Sequence, residues 1–220
     1  MKPYLYIPLI LLIALVSCKK SSTSAPLYQN SLTVDDGTWY VNSNSYGDWW
    51  GYTSVGNNSF YYITNYQSNE HLYSLAPYNP ITSAYNVQVT ATINHLDSGV
   101  AGAGIIFNYQ DSNDFAYVSV RSDANFRIWQ HTAGVLDSLC PLTPCAAINA
   151  TGTANIIKVV QTQDSMKLVI NNVQAYSTAL ALLSYTTTGT LKAGVTAITT
   201  GSPTFTPVTV DFNNFSISKD

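Results

Sequence analysis

The side chains best suited to chemistry gather in one stretch, Gly102 to His131, which reads GAGIIFNYQDSNDFAYVSVRSDANFRIWQH. It holds both arginines of the chain, Arg121 and Arg127, together with Tyr117, Trp129 and His131. Asn108 lies in the same stretch. Flat rings beside fork-shaped guanidinium donors suit a polar, ring-shaped ligand such as a sugar. Acid–base chemistry has a single candidate here, His131, next to Arg127 and Trp129.

These residues need a scaffold that brings them to one surface. Asp111-Ser112-Asn113-Asp114 and Ser122-Asp123-Ala124-Asn125 are turn sequences, because Asn, Asp and Ser bond their own backbone. They divide the stretch into three short strands. Between the turns Ala116, Val118 and Val120 alternate with Phe115, Tyr117, Ser119 and Arg121. In the next strand Phe126, Ile128 and Gln130 alternate with Arg127, Trp129 and His131. With the apolar sets sharing one core, Tyr117, Arg121, Arg127, Trp129 and His131 share one exposed sheet face.

The start of the chain reads as an export signal. A short basic Met1-Lys2 precedes an apolar run from Pro3 to Val16, too short for a spanning helix. Leu15-Val16-Ser17-Cys18 resembles a bacterial lipobox, which implies cleavage before Cys18 and lipid on its thiol; an ordinary secretory signal is the alternative. Lipid provides an anchor and not a span. The expected division is a signal peptide over 1–17, a flexible tether over 18–30 and one domain over 31–220. The location is then the cell envelope, most simply the outer membrane, with periplasmic and surface-facing orientations both open.

Composition narrows the partners. Nine basic residues against twelve acidic ones give a formal net charge of −3. No basic patch exists for a phosphate backbone, so nucleic acid is not expected. Contact with a membrane is expected only through the lipid. Cys140 and Cys145 enclose Pro-Leu-Thr-Pro, and an exported chain meets oxidising conditions. A local Cys140–Cys145 disulfide across a proline-rich turn is expected, with free thiols as the alternative. Two sulfurs and a distant histidine make no zinc site.

The rest of the chain predicts more strands. Tyr85 to Asn94 alternates most cleanly, with Val87, Val89, Ala91 and Ile93 inward. Phe60–Asn65, Leu72–Leu75, Ile156–Thr162, Met166–Asn171, Leu191–Ile198 and Val208–Ser218 are further strands, and Leu180–Ser184 is a strand or a helical turn. Asp48-Trp49-Trp50-Gly51-Tyr52 reads as an aromatic loop, either a stacking platform or folded under the sandwich edge. Many short strands with polar turns make the fold all-β, an antiparallel sandwich or barrel.

The strand order resembles the concanavalin A-like jelly roll, in the laminin-G-like and 3-keto-disaccharide hydrolase (family sixteen-like) branch of bacterial lipoproteins. The residues that carry the resemblance are Gly102 to Phe107, Asp111 to Tyr117, Leu168-Val169-Ile170-Asn171-Asn172 and Val210 to Phe215. It departs from the pattern where Asn171-Asn172 replaces Asn-Gly and where a Gly-x-x-Gly is stretched to Gly189…Gly194. The resemblance implies an antiparallel jelly-roll β-sandwich that binds or cleaves carbohydrate on its concave sheet. It also implies one possible cofactor, a structural calcium on Asp211 of the closing strand.

The residues favour a binder over an enzyme. A glycosidase needs two carboxylates about 5–10 Å apart. The Glu-x-Asp-x-x-Glu of family sixteen glucanases is absent, and Glu70 is the only glutamate. Asp97, Asp111, Asp114, Asp123, Asp137 and Asp164 sit at turns. His71, His95 and His131 lie in no nucleophile motif. The first reading is a lipid-anchored glycan-binding domain using Asn108, Tyr117, Arg121, Arg127, Trp129 and His131. A keto-glycoside hydrolase with a deep pocket at His131 is the second. An adhesion module presenting Trp49 and Trp50 to a protein is the third.

Overall fold

The computed structural model describes residues 25–56, 58–78, 84–94, 99–179, 191–201 and 207–219. Cys18, His95, the turn at Asp97 and the segment Leu180–Ser184 lie outside the described residues.

Two antiparallel sheets face each other, with strands numbered in chain order. The nine-stranded sheet runs β13 (Val173–Ala179), β12 (Ser165–Ile170), β11 (Asn155–Gln161), β6 (Tyr85–Asn94), β15 (Val208–Ser218), β4 (Asn58–Asn65), β3 (Trp49–Val55), β2 (Asn42–Ser43). A short β1 (Tyr28–Asn30) also pairs with β15. The six-stranded sheet runs β10 (Val135–Pro144), β9 (Asn125–Thr132), β8 (Asp114–Arg121), β7 (Val100–Asp111), β14 (Lys192–Thr200), β5 (His71–Leu75). This is the expected all-β, antiparallel jelly-roll sandwich.

The alternation in the sequence becomes the core. Val87, Val89, Ala91 and Ile93 of β6 meet Ala116, Val118 and Val120 of β8, with Phe126 and Ile128 of β9. Tyr61, Tyr85, Phe107, Phe212 and Phe215 are fully buried among them. Each such ring removes on the order of 150–250 Å² from water, so these rings dominate the cohesion of the two sheets. Close approach of strands selects glycine at two places. A Cβ on Gly104 would sit 1.8 Å from the Val118 carbonyl oxygen, and one on Gly194 2.0 Å from that of Ser74. Asn171 and Asn172 both take positive φ, 50° and 67°, and so close the β12–β13 hairpin in place of Asn-Gly.

Four expectations change. Asp48–Tyr52 is not a loop: β3 starts at Trp49, and strand alternation buries Trp50 while Trp49 stays exposed. Part of the segment expected as tether is structured, because Tyr28–Asn30 pairs with Phe215–Ile217. Cys140 and Cys145 are free thiols rather than a disulfide. The physical reason is that Pro141-Leu142-Thr143-Pro144 stays in edge strand β10, with register shifts around Cys140, instead of folding into a tight turn. An edge strand tolerates prolines because its outer N–H groups have no ladder to join. Asn108 has a positive φ of 51°, at a register shift between Phe107 and Asp111. That shift turns its side chain inward, a placement alternation alone does not give.

Candidate functional site

The candidate site is the outer face of the six-stranded sheet. Its centre is the β8–β9 hairpin, whose tight turn is held by Asp123: the Asn125 N–H donates to Asp123 Oδ1 at 3.3 Å. The register places Phe115 opposite His131, Tyr117 opposite Trp129 and Ser119 opposite Arg127. Neighbouring side chains on one face of such a pair are close enough to stack. The Arg127 guanidinium carbon lies 3.7 Å from the centre of the Trp129 ring. The His131 ring stacks on Phe115 at 4.5 Å, nearly parallel at 11°. Tyr117, Arg127, Trp129 and His131 therefore share one surface.

The other two candidates do different work. Arg121 grips Asp123 of its own turn, Nη2 to Oδ2 at 2.8 Å and Nε to Oδ1 at 3.2 Å. Asn108 lies between the sheets, where Tyr85 donates its hydroxyl to Asn108 Oδ1 at 2.5 Å. Its amide donates to Gln161 Oε1 at 2.8 Å.

Residues of β5 complete the face from some sixty positions away along the chain. His71 and Tyr73 alternate with the inward Leu72 and Ser74, a period-two signal that could have placed them. The His71 ring lies 4.1 Å from Tyr117, and Tyr73 packs 5.7 Å from Tyr109. With Ile106, Ile198 and Leu75 these rings make a second apolar cluster outside the main core. Phe115 and Tyr117 are left only 4% and 5% exposed. The face is thus paved by its own rings.

Burial sets the protonation of this face. It pushes the His71 imidazole down to about 3, with His131 adding to the shift, so His71 is neutral. Burial also raises the Tyr117 phenol to about 12, against the opposing pull of Arg127. Three nitrogens are buried without a hydrogen-bond partner: His71 Nε2, His131 Nδ1 and Arg127 Nε. Buried polar atoms are ordinarily paired, so three unpaired nitrogens on one face are unusual.

No carboxylate occupies the outward positions of β8 or β9 between Phe115 and His131. Asp114 accepts the Ala133 N–H at 3.0 Å, and Asp123 is held by Arg121. A close carboxylate pair exists elsewhere, and sequence reasoning missed it. Asp48 is fully buried and accepts from Asn44 Nδ2 and the Tyr66 N–H, each at 2.7 Å. Gln67 Nε2 bridges it to Glu70, at 3.3 Å to Asp48 Oδ2 and 3.1 Å to Glu70 Oε1. Burial first, and the Asp48 charge second, push Glu70 up to about 7. The bonds of Asp48 tie the Asn44–Asp48 turn to the Tyr66–Glu70 segment, a structural clasp.

Asp211 points from β15 to the outer face of the other sheet. Asn94 Nδ2 donates to its Oδ2, while Oδ1 is buried without a partner. Burial raises this carboxyl to about 6. Calcium takes six to eight oxygens, usually from several carboxylates. Among the described residues no three His, Cys, Asp or Glu side chains gather at one point. A single carboxylate that already receives an amide N–H does not fit that ion.

No family model and no curated sequence matches the chain. Solved structures do. A family 16 glycoside hydrolase, an endo-glucanase from Bacteroides ovatus, superposes with a TM-score of 0.62 at 10% identity, over 87% of this chain and 99% of that one. The carbohydrate binding module CBM66 from Bacillus subtilis gives 0.56 at 12% identity, over 83% and 96%. The catalytic domain of an endo-1,3-beta-glucanase (laminarinase) from Thermotoga petrophila RKU-1 gives 0.53 at 8% identity, over 89% and 98%. These likenesses identify the fold as the concanavalin A-like jelly roll. Binders and hydrolases share it, so the side chains must decide between them.

Proposed function

We propose that this chain is a lipid-anchored, exported glycan-binding domain of the bacterial cell envelope. Cys18 carries the lipid, and the glycan lies across the outer face of the six-stranded sheet. The observation that carries this reading is the Arg127–Trp129 pair: a guanidinium carbon 3.7 Å over the centre of an indole, its Nε unpartnered, on the same face as His131 with Nδ1 unpartnered. The partly exposed indole offers apolar area to a sugar C–H face, on a base of the buried Phe115 and Tyr117 rings. Arg127 and His131 offer directed hydrogen bonds to hydroxyls or ring substituents. Arg121 steadies the β8–β9 turn. The solved structures of this fold named above include a carbohydrate-binding module, which supports the reading.

Hydrolysis is the weaker reading. Among the described residues the outward positions of β8 and β9 from Phe115 to His131 carry no carboxylate to complete an acid–base pair with an imidazole of this face.

Affinity electrophoresis tests the proposal, with the protein run through native gels that each carry one polysaccharide. Retardation by one glycan, abolished in Trp129→Ala, is the expected result. Unretarded migration on every gel, or equal retardation of the variant, overturns it.

A further inference from the structure

The opposite face of the sandwich holds a second set of chemistry. Two cavities of about 420 and 580 Å³ adjoin on the outer face of the nine-stranded sheet, and both are lined by Asn58, Phe60 and Asp211. Pockets of roughly 300–1,000 Å³ are the size that receives small organic ligands. Together they form one trough over β4, β15 and β6. Asp211 stands at its middle, with Tyr62 across from it on one side and Thr92 on the other.

The lining selects among ligands. Among the described residues Asp211 is the only charged one in the lining; the others are threonine, asparagine and serine, with Val55 and the rings of Phe60 and Tyr62. An anion meets a lone carboxylate and no cation. An apolar ligand would strand Oδ1 of Asp211, a cost of about 1–3 kcal/mol for an unsatisfied buried acceptor. A hydroxyl satisfies it. Asn94 already donates to Oδ2, so the carboxylate can accept a sugar hydroxyl on Oδ1 while neighbouring threonines and asparagines pair with further hydroxyls. The rings of Phe60 and Tyr62 cover C–H faces.

We infer that this trough is a second binding site, for a neutral oligosaccharide chain held by Asp211, Asn94, Thr92 and Tyr62. It is independent of the Arg127–Trp129 face, so one domain can hold two segments of glycan on opposite sides. Two linked sites raise avidity without any new contact.

The test uses the full chain carrying Trp129→Ala, which removes the first face from the measurement. Its ¹H–¹⁵N spectrum is titrated with cellohexaose, xylohexaose and mannohexaose. One of these is expected to shift the amides of Thr92, Asp211 and Asn213 in a saturable way. Asp211→Ala is expected to weaken that binding at least about tenfold, the loss of one charge-assisted hydrogen bond. Thr92→Tyr fills the trough, leaves the carboxylate in place and puts a good strand former in a strand; it is expected to abolish the shifts. Failure of all three probes to move these amides overturns the inference, as does unchanged binding in Asp211→Ala or Thr92→Tyr. Shifts at Tyr117 and Arg127 in the parent chain report the first face separately, so either site can fail alone.

Discussion

The two outer faces of this sandwich solve the same problem in opposite ways. A sheet packed on one side has a second side to dispose of. The six-stranded sheet covers its own with rings, so that Phe115 and Tyr117 are as buried as core residues. The nine-stranded sheet leaves a trough of hydroxyls and amides around one carboxylate. The first face is built like a second core with a cation parked on top. The second is built like solvated surface with one buried acceptor. The difference shows that a binding face can be stiffened by packing or left open by polarity, within one fold.

Truncation should separate the faces most sharply. Phe115→Ala removes a ring from the second apolar cluster and is expected to cost about 3–5 kcal/mol in urea unfolding. Thr90→Ala, on the trough, should stay within about 0.5 kcal/mol. Similar costs for both would mean that the ring layer contributes no cohesion.

The faces should also titrate in opposite senses. His71 is lowered from 6.5 to about 3, so the unfolded chain binds the extra proton and stability rises with pH across that window. Asp211 is raised from 3.8 to about 6, so the native state holds the extra proton and stability falls as pH rises through that window. Glu70, raised from 4.5 to about 7, extends the fall upward. The wild type blends these trends. Melting temperatures measured from pH 4 to pH 7 should climb more steeply in Asp211→Asn and fall more steeply in His71→Phe. Parallel profiles for the two variants would remove the electrostatic half of the comparison.

Calcium should give the smallest effect. A ligand that binds only the native state raises the melting temperature. Millimolar calcium is expected to leave it unchanged, because the trough supplies one carboxylate. A clear rise would convert the trough into a metal site.

Much of this was legible in the sequence, for definite reasons. Ala116, Val118 and Val120 against Phe115, Tyr117 and Ser119 is a pattern of period two, and a strand with one buried side preserves it. That pattern placed Arg127, Trp129 and His131 on one face. It could not show that the face is paved, because the covering rings of His71 and Tyr73 come from β5, three places from β8 across β7 and β14. Nor could it place Asn108, where one positive φ turns the side chain toward Tyr85. The cysteine segment misled for a related reason: two prolines signal a turn unless the strand lies at an edge, and edge position is a property of the whole sheet. Asp48 was missed because a buried aspartate among Asn and Gly reads like any turn aspartate.

The pairing of Tyr28–Asn30 with Phe215–Ile217 has a mechanical consequence. Any pull on the chain before residue 25 reaches the domain through this short ladder, reinforced by the Trp39 indole N–H on the Tyr28 hydroxyl at 3.0 Å. The strand that receives the load, β15, is gripped by β6 along most of its length and by β4 over Val208–Phe212. Under tension β1 should peel away residue by residue before either sheet is strained. Three residues thus work as a fuse: they give way first and leave both faces intact.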